Sequence, residues 1–119
     1  MTPHGNHEEL PLYILWSDFL KWMLDHTEKF PRKARFTFIT RIDNMMLDTL
    51  EDIIEARYTK NRLPILKRIN LRIEKLRQLL RICYDRRFLA ANSFEYAIKT
   101  LNEAGRMTGG WMKQAVEIK

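Results

Sequence analysis

Eleven lysine and arginine residues lie between Arg57 and Arg87, a stretch that holds only two acidic residues, Glu74 and Asp85. The stretch has a formal charge of +9, whereas the whole chain of 119 residues has +6. Clustered positive charge attracts polyanions, and the planar guanidinium group of arginine is well suited to phosphate. The types and density of these residues therefore predict phosphate binding, as in nucleic-acid contact.

The segment before this basic stretch is acidic and offers a second explanation for the charge. Its acidic residues are Asp43, Asp48, Glu51, Asp52 and Glu55. On an antiparallel neighbouring helix they would neutralise some of the basic residues, and lysine and arginine also keep helices soluble. The basic excess is larger than these five residues can cancel. We therefore expect part of it to contact a polyanion.

The chain lacks the residue patterns of common catalytic and metal sites. Glu-x-x-His, which supplies ligands in di-iron helical bundles, does not occur. His4 and His7 have the i,i+3 spacing of metal ligands but lie in a glycine-containing segment without a third ligand. Cys83 occupies an apolar helical position, where a free cysteine is usually a core residue and not a nucleophile. Because nucleotide-binding glycine loops and Ser/His/Asp sets are also missing, we expect a protein that is not an enzyme and needs no cofactor.

Apolar residues in the stretch 12–23 recur at steps of three and four. This spacing predicts a first helix that begins near Leu10 and ends near Lys29. Residues 1–9 show no such period, so we expect a flexible tail there, followed by a single domain over residues 10–119.

Two further amphipathic segments follow. The first predicts a long second helix from about residue 32 or 33 to Tyr58. The next begins around Pro64, which fits the first turn of a third helix. Its apolar residues step by 3, 4, 3, 4 and 3, the spacing of a bundle seam. The seam residues are Leu66, Ile69, Ile73, Leu76, Leu80 and Cys83.

A fourth helix is predicted near the end of the chain, with Ser93 as its N-cap and an inner face from Phe94 to Trp111. Three glycines are unusual in a helix interior and indicate either a frayed end or close approach of another backbone. They are Gly105, Gly109 and Gly110. Four helices with short connections and no strand pattern predict an all-α protein, an antiparallel four-helix bundle.

The aromatic residues have two interpretations. Tryptophan and tyrosine can stack on bases, but aromatic residues at helical spacing are usually core. We expect Trp16 and Trp22 to be core residues, with Tyr58 and Tyr84 as stacking candidates. For Trp111, which follows Gly109-Gly110, packing in the core and packing across an oligomer interface both stay open.

The single cysteine excludes an intrachain disulfide, and no secretory signal or membrane-spanning stretch is evident. These features predict a cytoplasmic protein with no membrane contact.

Four short motifs, in this order, resemble the accessory variability determinant (Avd) family of diversity-generating retroelements. They are Phe30-Pro31-Arg32-Lys33, Ala56-Arg57-Tyr58, Leu76-Arg77-x-x-x-Arg81 and Gly109-Gly110-Trp111-Met112-Lys113-Gln114. The resemblance covers nearly the whole chain, from about Leu10 to Gln114. It implies a four-helix bundle that assembles as a basic, barrel-like homopentamer.

The resemblance also implies a function. Proteins of this family bind nucleic acid and the reverse transcriptase of the element, and they support mutagenic retrohoming, in which template RNA is copied into cDNA with errors at adenines. The family has no known active site. Its arginine pair for partner and nucleic-acid contact falls on Arg77 and Arg81. From charge alone we add Lys67, Arg68, Arg72, Lys75, Arg86 and Arg87 as contact residues for nucleic acid or reverse transcriptase.

Two alternatives remain open at this point. A related four-helix family is encoded in intervening sequences of bacterial 23S ribosomal RNA genes and has no retroelement partner. A helical scaffold that contacts acidic protein through the basic helix is the other alternative, and it would bind RNA and DNA weakly.

Overall fold

The computed structural model describes residues 9–117, and four α-helices lie in that range. They are α1 (Glu9–Thr27), α2 (Thr40–Tyr58), α3 (Leu63–Asp85) and α4 (Ala91–Glu117). Each helix packs against the next in the chain, and α1 also packs against α4. Short connections make successive helices antiparallel. The predicted all-α bundle is confirmed, and residues 9–117 contain no strand.

The core lies along the predicted seams. All six seam residues of α3 are fully buried, as are Ala104, Thr108 and Leu101 on α4. Trp16 is also fully buried, and its indole Nε1 donates a hydrogen bond to the carbonyl oxygen of Met46, 2.9 Å away. This bond satisfies the polar atom of a buried tryptophan and ties α1 to α2.

The second helical segment begins at Arg32, as predicted, but its first eight residues are not α-helical. Residues Arg32–Ala34 form a 3₁₀ turn and Arg35–Ile39 form a π-helical turn before α2 begins. Ala34, before the π-helical turn, and Ile42, after it, are both buried.

The other helix ends also differ from prediction. Helix α1 ends at Thr27, two residues before Lys29. Helix α4 begins at Ala91, and the carbonyl oxygen of Ala90 accepts a hydrogen bond from the N–H of Phe94 at 2.9 Å. Ser93 is therefore inside the helix and is not its cap. Of the predicted tail, residues 1–8 lie outside the described part of the chain, and Glu9 begins α1.

Helix α4 runs through all three glycines to Glu117, so of the two explanations for the glycines the frayed end is excluded. Trp111 is only 1% exposed within a single chain, so of its two open placements the core is the one observed. Its ring packs in the bundle beneath the guanidinium group of Arg62, 5.4 Å from the ring centre. Trp22, by contrast, is half-buried and stacks on His26.

Candidate nucleic-acid interface

Helix α3 carries most of the candidate contact residues. Because its seam faces the core, its basic side chains lie along the two edges of the helix and on its outer surface. One edge faces α2 and the other faces α4. The two edges differ in how their arginines are held.

Arg68 and Arg72 are bound to a carboxylate on α2. Arg68 donates two hydrogen bonds to Asp52, at 2.8 and 3.1 Å, and Arg72 donates one at 2.6 Å. Asp52 is 8% exposed, and the Arg72 side chain is 17% exposed. The acidic segment of α2 therefore neutralises basic residues of α3, as the charge pattern predicts. These two arginines hold α2 and α3 together.

The environment of Asp52 favours its charged form. Desolvation by burial raises the pKa of this carboxyl, but the hydrogen bonds from Arg68 and Arg72, together with their charges, outweigh it. The net pKa of Asp52 is below its ordinary value. The carboxylate therefore stays ionised at neutral pH and keeps both arginines in place.

Arg77, at the other edge of α3, lies flat on α4. Its Nε donates a hydrogen bond to Asn102 at 3.0 Å, and its Nη1 donates one to Glu74 at 2.8 Å. A Cβ atom at Gly105 would lie 3.3 Å from Nη2 of this arginine. The close approach predicted for the glycines is therefore made at Gly105, by a side chain and not by another backbone.

Arg81, one turn after Arg77, is far less constrained. Within the described residues it pairs with Asp85, whose Oδ1 lies 3.3 Å from its Nε, and both side chains are more than half exposed. Such a surface pair contributes little to stability. Arg81 can therefore leave Asp85 for a stronger anion at small cost.

Four other candidate residues are exposed and form no ion pair with any residue in the described range. They are Lys67, Lys75, Arg86 and Arg87. Lys75 lies beside a shallow groove between α2 and α3 that Arg41 and Arg72 also line. Arg86 places its guanidinium group 5.9 Å from the ring centre of Phe88. These residues carry positive charge that no described carboxylate cancels.

A groove of about 750 Å³ lies on the surface along the line where α3 and α4 pack together. Arg77 and Arg81 line it from α3, and Lys99 lines it from α4. Its floor is apolar, because Tyr84 and Phe94 stack with ring centres 4.7 Å apart and planes 13° apart. The structure therefore brings the predicted arginine pair together with an aromatic surface, a combination that suits a phosphate beside a base or sugar.

Sequence reasoning missed Lys99 and Asn102 as members of this site. Both lie on α4, and their position opposite Arg77 depends on the register between α3 and α4. The only available signal was Gly105, where the absence of a side chain allows close approach. Tyr84 was predicted as a stacking candidate, and it lines the groove. Tyr58 lies elsewhere, beside Arg57 on α2.

The described residues hold no group of three His, Cys, Asp or Glu side chains that could bind a metal ion. Within the same range, none of the helices is both apolar enough and long enough to span a bilayer. Burial raises the pKa of the Cys83 thiol to about 12. The thiol is therefore protonated at neutral pH, which does not suit a nucleophile.

Comparisons with known proteins give one family. No curated protein and no solved structure matches the chain. A family model described as bAvd-like matches residues 14–115, a range that includes most of α1, the whole of α2 and α3 and nearly all of α4. Together with the four-helix architecture, this match shows that the chain belongs to the bAvd-like family.

Proposed function

We propose that this protein is the accessory subunit of a diversity-generating retroelement and binds template RNA, cDNA and the reverse transcriptase of the element. The observation that carries the proposal is the pairing of family membership with the groove between α3 and α4, where Arg77 and Arg81 flank an aromatic floor. In this proposal the protein works in the cytoplasm and takes no catalytic step in mutagenic retrohoming. It holds nucleic acid and polymerase together.

The charges along α3 support phosphate binding over base reading. Arg81, Lys67 and Lys75 are exposed and long, so they can follow a sugar-phosphate backbone without a defined base partner. Arg68 and Arg72 form ion pairs with Asp52, so their main role in this proposal is to hold α2 against α3. They attract phosphate only through their long-range electrostatic field and do not contact it. Binding of this kind is independent of sequence, which fits a subunit that must handle cDNA whose sequence varies from copy to copy.

We further propose that the protein acts as a homopentamer. On α2, three exposed apolar residues share one narrow outer face with acidic neighbours. They are Leu47, Ile54 and Tyr58. On α3, Leu71 and Ile82 share an outer face with Lys75.

The acidic apolar face on α2 of one copy is complementary to the basic apolar face on α3 of the next copy. Contact between two different faces is heterologous, and repeated heterologous contacts close into a ring when the rotation permits. Each basic residue then occurs once per subunit around the ring. Even a modest patch on one chain would add to a strong common field.

A double substitution tests the groove. We expect Arg77→Ala with Arg81→Ala to weaken binding of both RNA and the cognate reverse transcriptase by tenfold or more, roughly what losing two charged contacts implies. Lys21→Ala with Lys113→Ala removes the same charge from exposed positions on α1 and α4 and serves as the control. Binding would be measured by fluorescence anisotropy for RNA and by pull-down for the polymerase. Unchanged binding of both partners would disprove the site, provided that both variants keep their helicity and mass.

A salt titration tests the phosphate mechanism separately. Each phosphate neutralised by a basic residue releases counterions, so log Kd should rise linearly with log salt, with a slope near 0.7 per contact for single strands. We expect the double variant to have a slope smaller by one or two contacts than the wild type. A flat titration would contradict phosphate binding, and binding to acidic protein but not to RNA would favour the scaffold alternative.

The setting of the gene distinguishes the remaining alternative. A retroelement protein should be encoded beside a reverse-transcriptase gene and a template and variable repeat pair. Its solution mass by light scattering should be about five times that of one chain at both low and high salt. A location within a 23S ribosomal RNA gene would favour the intervening-sequence family instead.

A further inference from the structure

Phe36 is the most exposed large hydrophobic residue in the described part of the chain, with 87% of its surface accessible. Two residues later, Phe38 faces the opposite way and packs against Phe88, with ring centres 5.9 Å apart. The core therefore uses one phenylalanine of this pair and leaves the other in solvent. Exposure of a whole aromatic ring carries a hydrophobic cost that a binding role would justify.

The backbone around Phe36 is unusual and well held. The ring projects from the π-helical turn Arg35–Ile39, and such turns occur often at functional sites. Thr40 donates a hydrogen bond from Oγ1 to the carbonyl oxygen of Arg35 at 2.5 Å, and Thr37 donates one to Ala34 at 3.3 Å. These bonds help fix the position from which the ring projects.

Basic residues lie close to Phe36 in the sequence, and no acidic residue lies among them. Arg32, Lys33, Arg35 and Arg41 lie within the stretch 31–42, which contains no Asp or Glu. All four side chains are exposed, and none forms an ion pair with any residue of the range 9–117. The segment therefore presents an aromatic face within a cluster of unpaired cations.

The topology adds a second basic segment at the same end of the bundle. Phe88, in the α3–α4 connection, contacts Phe30 and Phe38 from the α1–α2 connection. Arg87 has a φ of 65°, where glycine is the usual residue, because α3 ends in a Schellman motif. An arginine at this position places a further cation at this end of the bundle. Arg86 lies beside it, over the ring of Phe88.

From this arrangement we propose that this end of the bundle is a second nucleic-acid site, in which an unpaired base stacks on Phe36 and the basic residues around it contact the adjacent phosphates. The site is separate from the groove between α3 and α4, whose lining includes neither Phe36 nor its basic neighbours. The inference rests on the proposed nucleic-acid function and adds a preference for single strands. Bases in a duplex are already stacked and cannot present a face to Phe36.

The observations favour a nucleic acid over a membrane surface or an apolar protein partner. A membrane-binding segment needs a broad apolar face, but Phe38 and Ile39 are half-buried against the bundle, so Phe36 stands alone. An apolar protein partner would need a larger patch than one ring. One ring among cations is the arrangement of a base-stacking platform.

The test compares full-length wild type, Phe36→Ala and Phe36→Trp, with Ile14→Ala on α1 as a control at another exposed apolar position. Anisotropy would be measured with labelled oligo-dT and oligo-U of about 16 nucleotides, the larger site size of single-strand binding folds, and with a DNA duplex of equal length. We expect Phe36→Ala to weaken single-strand binding by about fivefold to a hundredfold and to change duplex binding by less than twofold. Phe36→Trp should restore or improve single-strand binding, and Ile14→Ala should match wild type.

A fluorescent adenine analogue placed in the single strand gives a direct readout. Its emission should be quenched by wild-type protein and by Phe36→Trp, and should stay bright with Phe36→Ala. Equal weakening of single strands and duplex, no weakening, or a changed solution mass for Phe36→Ala would each overturn the inference. So would Phe36-dependent binding to phosphatidylglycerol vesicles without a single-strand preference.

The two proposals fail in different ways. If wild-type protein binds neither single strands nor duplex, the proposed nucleic-acid function fails and this site fails with it. If wild type binds both and Phe36→Ala behaves as wild type, only the stacking site is wrong. If Phe36→Ala loses single-strand binding while Arg77→Ala with Arg81→Ala retains it, stacking at the bundle end is supported without the groove.

Discussion

Replacing Asp52 by asparagine should destabilise the bundle while leaving its helices intact as secondary structure. The carboxylate accepts three hydrogen bonds from Arg68 and Arg72 and is the link between α2 and the basic helix α3. Asparagine has nearly the same shape but carries no charge and turns an N–H₂ group toward one of the guanidinium groups. Asp48, exposed on the same helix, gives a matched control, because Asp48→Asn changes the net charge equally.

The size of the effect follows from the exposure of the two arginines. A hydrogen bond to a charged group contributes about 1.5–3 kcal/mol, and breaking a buried ion pair costs about 3–5 kcal/mol. Arg68 is 47% exposed and regains water when its partner is lost, whereas Arg72 is 17% exposed and does not. We therefore expect Asp52→Asn to lower the free energy of unfolding by about 2–4 kcal/mol, and Asp48→Asn by less than about 0.5 kcal/mol.

Urea unfolding followed by far-UV circular dichroism would measure both losses. All proteins should be compared at one concentration, because the stability of an assembled protein depends on concentration. Equal losses for the two variants, or a loss below about 1 kcal/mol for Asp52→Asn, would refute the assignment of Asp52 as the link between α2 and α3.

The stabilisation that Asp52 provides through Arg68 and Arg72 has a predictable pH dependence. The pKa of Asp52 is lower in the folded protein than in the unfolded chain, where it is about 3.9. Its contribution is therefore complete above about pH 4 and is lost as the pH falls through the folded pKa. Wild type and Asp48→Asn should lose this contribution on acidification, whereas Asp52→Asn should show a flatter acid limb. Parallel acid limbs for all three proteins would contradict the pairing.

Three further substitutions and one labelling experiment have defined outcomes. Gly109→Ala should raise the free energy of unfolding by about 0.8–1 kcal/mol, because a Cβ there meets no atom within 4 Å. Gly105→Ala should raise it by less, because its Cβ would press on Arg77. Urea unfolding of both variants measures these gains, and a loss of stability for Gly109→Ala would contradict the helical geometry. Cys83 should not react with a thiol reagent in the folded protein and should react in urea, since burial raises its pKa to about 12; rapid labelling without urea would contradict its burial. Burial also raises the pKa of Asp43, so its ionised form opposes folding at neutral pH. Asp43→Asn should therefore leave the free energy of unfolding at neutral pH unchanged or raise it by up to about 1 kcal/mol. This gain should disappear as the pH falls through the raised pKa of Asp43. A clear loss of stability for Asp43→Asn in thermal unfolding at neutral pH would contradict the prediction that ionised Asp43 opposes folding.

The features that sequence predicted best depend on local period and on charge. The seam of α3 follows from apolar spacing alone, since Leu66 to Cys83 lie on one face of any regular helix. The neutralisation of basic residues by α2 follows from opposite charges on neighbouring helices, although the choice of Asp52 among five acidic residues required the structure.

The features that sequence missed depend on packing between elements. The π-helical turn Arg35–Ile39 is indicated neither by the spacing of apolar side chains nor by the local preferences of its residues. The exposure of Phe36 is a result of that turn. The position of Arg77 over Gly105 depends on the register of two helices, which side-chain period leaves undetermined.

Arg77 and Arg81 present a ligand with two cations of different stiffness, one helical turn apart. A free arginine side chain loses about 1.5–2 kcal/mol of rotamer entropy when it is immobilised. Arg77 is already immobilised by Asn102, Glu74 and the surface of Gly105, so it has little left to lose, and its remaining N–H donors point in a set direction. Arg81 keeps its freedom. Arg77 would therefore fix the position of a bound polyanion. Arg81 can adjust its side chain to a phosphate whose position varies from one strand to another.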